Sequence, residues 1–195
     1  MSAARTHTPL RVLVVGATGG LGSQLTRESL SRGHRVSVLV RSPEKLGHVH
    51  DTSTLASVFT GDGLDADSLK TATQNIDVVL NGVGSRPEIA LALANAVKAN
   101  NLKKLVHIAG GTNVMEDDGT HQAGIDAIRS TGVTYVVFCP GFMKSVGAKS
   151  AQPVAVKVNR FAGDFVSYED AASVMVNAAE QSVWDGQLIT AATNV

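Results

Sequence analysis

The segment Gly16-Ala-Thr-Gly-Gly-Leu-Gly22 constrains the fold more than any other feature of the chain. It follows directly on the apolar run Leu10–Val15 and leads into a helical pattern from Leu21 to Ser31. Its glycines at 16, 19 and 22 have distinct uses. Gly16 permits a tight turn out of a strand, Gly19 lets the backbone approach a pyrophosphate, and Gly22 lets the helix pack closely on the sheet. Free N–H groups at the start of the helix supply an anion site. A glycine triplet alone is weak evidence; the strand before it and the helix after it give it meaning. The contacts expected here are Gly16, Thr18, Gly19, Gly20, Leu21 and Gly22.

The rhythm continues along the chain. Arg35–Val40 reads as a second strand, Leu55–Phe59 as a third, Ile76–Leu80 as a fourth, Leu102–Ile108 as a fifth and Val133–Phe138 as a sixth. Helical patterns fall over Asp65–Thr73, Pro87–Ala99 and Gln122–Ser130, and Pro87 suits a first turn. Near-continuous apolar strands alternating with helices imply a parallel sheet covered on both faces, with right-handed crossovers. The expected fold is a single-domain, doubly wound α/β sheet of Rossmann type, order 3-2-1-4-5-6, over residues 1–195. Tyr168–Glu180 reads as a last helix and Gly186–Thr190 as a small C-terminal edge strand. Residues 1–8 are expected to fray. The irregular stretch 141–160, with a short alternating run at Val154–Val158, is expected to cap the substrate side.

Composition narrows the function classes. Lys plus Arg and Asp plus Glu number 17 each among 195 residues, and no long basic block occurs, so nucleic acid and anionic membranes are not expected partners. The single Cys139 cannot form an internal disulfide or a cysteine-rich zinc site. His48 and His50 have no third ligand at suitable spacing, so no metal is expected. No secretory h-region or 18-residue apolar run is present, and a cytoplasmic location is expected.

The end of the second strand selects the cofactor. An acidic residue there would meet the ribose 2′-hydroxyl of NAD, but Val40 is followed by Arg41-Ser42-Pro43-Glu44-Lys45. Arg41 offers a forked contact to a 2′-phosphate, with Ser42 and Lys45 beside it, so NADP is preferred over NAD. Asp62 and Gly63 follow the third strand; Asp62 either accepts from the adenine amino group or caps the next helix. Asn81, Gly82, Val83 and Gly84 follow the fourth strand, beside the adenine ribose. Ala109 and Gly110 follow the fifth, where the nicotinamide would lie. Pro140 and Gly141 follow the sixth, with Phe142 and Met143 as acceptor-lining candidates. His107 reads as a packed core residue and Cys139 as a small buried hydrophobe.

The chain resembles the atypical short-chain dehydrogenases/reductases. Within them it is similar to the small NAD(P)H-binding reductases typified by biliverdin-IXβ (flavin) reductase. The resemblance rests on VLVVGATGGLG (12–22), VSVLVRSPEKL (36–46), FTGDGLDADSL (59–69), KKLVHIAG (103–110), IRSTGVTYVVFCPG (128–141) and FVSYEDAASVMVNAAEQSVWDGQ (165–187). It implies an NADPH-dependent reductase of a flat acceptor such as a flavin, bilin or quinone, acting as a monomer or homodimer. The Tyr-x-x-x-Lys pair of common members is absent after both Tyr135 and Tyr168. Thr112 and His121 are the polar candidates near the nicotinamide. A redox-inactive nucleotide sensor of the NmrA-like type, a non-redox isomerase or cyclase, and a structural part of a larger assembly remain open alternatives.

Overall fold

The computed structural model describes residues 8–111 and 121–193. Its centre is β1 (Arg11–Val15), whose register pairs Val12 with Val36 of β2 (Arg35–Val40) on one side and with Val78 of β4 (Val78–Asn81) on the other. β3 (Ser57–Thr60) lies outside β2, and β5 (Lys104–Ile108) and β6 (Tyr135–Phe138) follow β4. The expected order 3-2-1-4-5-6 is therefore present, and these strands run parallel.

The C-terminal strand β10 (Leu188–Ala191) joins parallel to β6. Outside it, β8 (Val156–Val158) runs antiparallel and forms the sheet edge. A separate two-stranded ribbon pairs β7 (Phe142–Lys144) with β9 (Phe165–Ser167). The expected cap over 141–160 thus divides. Residues 142–144 stand beyond the sheet, residues 149–154 run along the last helix, and residues 156–158 enter the sheet.

Side-chain alternation along each strand builds the two faces. Val12 and Val14 pack with Leu21 and Leu25 of α1 (Gly20–Ser31) and Ala172 and Met175 of α5 (Tyr168–Glu180). Leu13 and Val15 pack with Leu69 of α2 (Ala66–Ala72), Leu93 of α3 (Pro87–Ala99) and Ile125 of α4 (Gln122–Thr131). Helix ends follow local chemistry. Asp65 accepts from the Ser68 N–H at 2.8 Å, and Ser167 accepts from the Asp170 N–H at 3.0 Å. α4 ends at Gly132, whose φ of +73° suits glycine at a helix C-terminus.

At the amino end of the sheet, Asp77 takes the Arg11 side chain at two oxygens, both at 3.0 Å, and the Arg11 N–H at 2.8 Å. The Arg11 hydrogen bonds hold this carboxyl well below the usual carboxylate range. The pair fastens β1 to the start of β4, opposite the end where β1 opens into the glycine loop.

Candidate nucleotide and acceptor site

β1 is where the chain reverses its winding, running first to β2 and then back to β4. Open α/β sheets place ligands at the carboxyl ends of strands at such a point. Here the cleft is about 320 Å³ and is lined by Gly16, Thr18 and Gly19 from the first turn. Arg41, Ser42 and Lys45 line it after β2, Asp62 and Gly63 after β3, and Gly82 and Val83 after β4. The loops after the first four strands thus meet at one place.

Gly16 has φ +86°, and its N–H donates to the Leu39 carbonyl at 3.1 Å, so the turn folds back on β2. A Cβ on Gly19 would find only the Gly16 and Gly82 carbonyls, 3.5 and 4.0 Å away, which leaves an open approach to the backbone. A Cβ on Gly22 would lie 2.0 Å from the Gly16 oxygen. Gly82 presses on the same helix turn, with its would-be Cβ 2.7 Å from the Gly22 Cα. Gly22 and Gly82 therefore serve helix-to-strand packing, and Leu21 is buried in the core. Gly20 is covered by the Tyr168 ring, 2.6 Å from where its Cβ would be. Among the described residues no side chain caps α1 at Gly19, which leaves the N–H groups of its first turn toward the cleft. A cradle with these properties fits a dinucleotide pyrophosphate.

His50 supports this turn, a contact the sequence did not reveal. It is buried, and its Nε2 lies 3.1 Å from the Ala17 carbonyl; the acceptor requires that this nitrogen carry the proton. Burial holds the His50 pKa below its ordinary value.

The cleft is cationic. Arg41, Lys45 and Arg86 face it, against the single carboxylate Asp62. Arg86 was missed in the sequence. It sits just before Pro87 at the start of α3 and lines the same cleft as Arg41. Of the two readings for Asp62, helix capping is overturned, because Asp65 caps α2. Asp62 instead accepts from the Leu64 N–H at 2.9 Å within its own turn.

Asn81 is fully buried and ties the loop after β4. Its Oδ1 accepts from the Val83 N–H at 2.9 Å, and its Nδ2 donates to the Gly84 carbonyl at 2.7 Å. Further along the strand ends, Ala109 is buried and Gly110 lies under the His121 ring, 2.5 Å from where a Cβ would be. Pro140 packs its carbonyl on Gly111, and Gly141 abuts the Asp164 carbonyl. His121 opens α4 without capping it. Thr112 lies outside the described residues.

The two acceptor candidates separate on β7. Phe142 is 67% exposed, whereas Met143 packs against the core layer of α1 and α5. Phe142 is joined by Phe165 of β9, with centroids 6.4 Å apart and planes tilted by 34°. Phe161 lies beside Gly111. The next segment is pinned to α5. Glu169 accepts from the Ser145 hydroxyl and, at 3.2 Å each, from the Val146 and Gly147 N–H groups. Asp170 accepts from the Ser150 N–H at 2.9 Å and its hydroxyl at 2.7 Å. Cys139 is buried, and burial pushes its thiol up to about 12, so it behaves as a hydrophobe. Among the described residues, no group of three or more His, Cys, Asp or Glu side chains is placed to hold a metal, and no helix is long and apolar enough to cross a membrane.

A parallel sheet of this order, with a glycine cradle at its switch point, defines a Rossmann-type dinucleotide-binding protein. The chain belongs to the NAD(P)H-binding family, whose model matches residues 16–182. It is 30% identical over 161 residues to a probable pinoresinol-lariciresinol reductase of Arabidopsis thaliana, covering 73% of this chain and 51% of that protein. It is 34% identical over 108 residues to the photosystem II assembly factor Ycf39 of Synechocystis, covering 50% and 32%. The chain thus spans about half or less of the curated relatives it matches. Among solved structures, an anaerobilin reductase of Escherichia coli superposes with a TM-score of 0.77 at 15% identity, covering 93% of this chain and 96% of that one. A short-chain dehydrogenase/reductase of Veillonella parvula in complex with NADP gives 0.78 at 14%, covering 95% of each. At these identities the structures show a shared fold. The NAD(P)H-binding family read from the sequence motifs is borne out.

Proposed function

We propose that the protein is an NADPH-dependent reductase of a flat, aromatic acceptor. The observation that carries this reading is the cleft at the switch point, with its glycine cradle and its three cations against one carboxylate.

Gly16, Gly19 and the first turn of α1 would hold the pyrophosphate. Arg41, Ser42 and Lys45 would take the 2′-phosphate, with Arg86 in the same cleft. The doubly negative 2′-phosphate of NADPH matches this charge better than the bare ribose of NADH. When bound, the cofactor supplies a hydride. The protein's task is then alignment, with Gly110 and Pro140-Gly141 flanking the ring end of the site. Phe142, Phe161 and Phe165 give an acceptor a surface of stacking edges and faces just beyond β5 and β6. His121, over Gly110, is the described side chain best placed to hold a proton there.

The curated relatives named as reductases support redox chemistry, and the assembly-factor relatives keep a binding role in view. Calorimetric titration with NADPH and NADH, followed by NADPH oxidation with flavin and quinone acceptors, separates the two. Tighter NADPH binding with turnover is expected. Binding without turnover on any acceptor would favour a nucleotide-dependent assembly or sensing role. Failure to bind either nucleotide would sink both.

A further inference from the structure

The geometry points to His107 as a positioning residue for the nucleotide cleft, acting through Asn81 on the loop that walls it. The inference rests on the cleft being a nucleotide site, and nothing in the proposed chemistry uses His107.

The hydrogen bonds fix the arrangement without ambiguity. The Val83 N–H can only donate, so the Asn81 atom facing it is Oδ1. The Gly84 carbonyl can only accept, so the atom facing it is Nδ2. That same Nδ2 lies 2.9 Å from His107 Nδ1, which must therefore be the unprotonated ring nitrogen. His107 is 1% exposed in the middle of β5, where an apolar side chain would fill the space more cheaply. Its function in the fold is to accept the last hydrogen of Asn81.

The consequence is felt at the cleft. With both ends of its amide engaged, Asn81 holds residues 81–84 in a closed turn. The turn sets Gly82 against Gly22 and brings Val83 over Gly16, where its Cγ2 would lie 2.8 Å from an added Cβ. Val83 is half-exposed and lines the cleft. Release of the Asn81 amide frees that wall.

The test compares His107→Phe, which keeps a ring and loses the acceptor, with His107→Asn, which restores an acceptor near the Nδ1 position. Three readouts are taken: nitrogen-15 chemical shifts of the wild-type imidazole, hydrogen exchange at the Val83 amide, and NADPH affinity. Expected are a wild-type ring protonated at Nε2, faster Val83 exchange in His107→Phe, and affinity about five- to tenfold weaker there. His107→Asn should return both to within about twofold of wild type. A ring protonated at Nδ1 would overturn the inference, even if His107→Phe fails to fold. So would unchanged Val83 exchange in His107→Phe, or a His107→Asn variant as impaired as His107→Phe. If wild type binds no nucleotide, the proposed function falls, while the imidazole shifts and Val83 exchange still decide the role of His107.

Discussion

His50 Nε2 donates to the Ala17 carbonyl across 3.1 Å, fixing the middle of the glycine turn from outside the β1–α1 unit. Ala17 is fully buried, and its carbonyl has this imidazole as its partner. His50→Ala should leave the carbonyl unpaired and the turn looser. We expect nucleotide affinity to fall about three- to tenfold, measured by titration calorimetry, with His50→Gln intermediate.

Gly19 and Gly22 should separate binding from folding. Gly22→Ala sets a methyl 2.0 Å from the Gly16 oxygen, against backbone that cannot step aside. Overpacking of this kind costs about 1–3 kcal/mol or more, so its thermal midpoint should drop by several degrees. Gly19→Ala meets only ordinary contact at 3.5 Å. Its midpoint should stay near wild type while nucleotide binding weakens, because the methyl occupies the approach to the backbone.

Arg41→Ala and Arg86→Ala should each lower NADPH affinity by about ten- to a hundredfold, the range of a lost charge-assisted contact. NADH affinity should change far less for Arg41→Ala. Equal losses for both nucleotides in Arg86→Ala would place Arg86 on the pyrophosphate instead of the 2′-phosphate.

Legibility in the sequence followed the range of the interactions. The glycine turn and the order of six parallel strands were readable because each depends on neighbours within one strand–helix unit. Arg86 was not, because its reach into the cleft depends on how α3 packs against the sheet. The β7–β9 ribbon joins residues more than twenty apart in short strands without alternation, so no local pattern announces it. The same holds for Met143, whose inward direction is set by that pairing, and for Glu169 and Asp170, whose partners lie some twenty residues earlier. Asp62 and Asp65 are both plausible caps by type, and only the geometry of the turn chooses Asp65.

Burial and the neighbouring His121 hold the His107 pKa at about 4, below its ordinary value of 6.5. A depressed folded-state value means that the unfolded chain binds the proton more readily. The stability tied to neutral His107 is therefore fully present above pH 6.5 and is lost as pH falls toward 4. His50 acts in the same direction. Urea denaturation of wild type should show stability falling through this window, and His107→Asn should flatten the slope.

Asp77→Ala removes the clasp between β1 and β4 at the end away from the cleft. Loss of a buried carboxylate holding three Arg11 hydrogen bonds should lower stability by about 1–3 kcal/mol. Nucleotide affinity should be unchanged.

The outermost strands of the main sheet bear on how the protein behaves in concentrated solution. β3 offers four residues at one border, mostly solvated, and β8 offers three at the other, with Lys157 at its centre. β8 ends at Val158, and the φ of +51° at the next residue, Asn159, turns the backbone off the sheet line. Short borders with a charged side chain are poor templates for a further strand. The apolar strands β1 and β2, which would aggregate readily if exposed, lie two places and one place inside the β3 border and deep inside the β8 border. Colloidal stability near the isoelectric point of about 7.0, where net charge gives no repulsion, then rests on these two short margins.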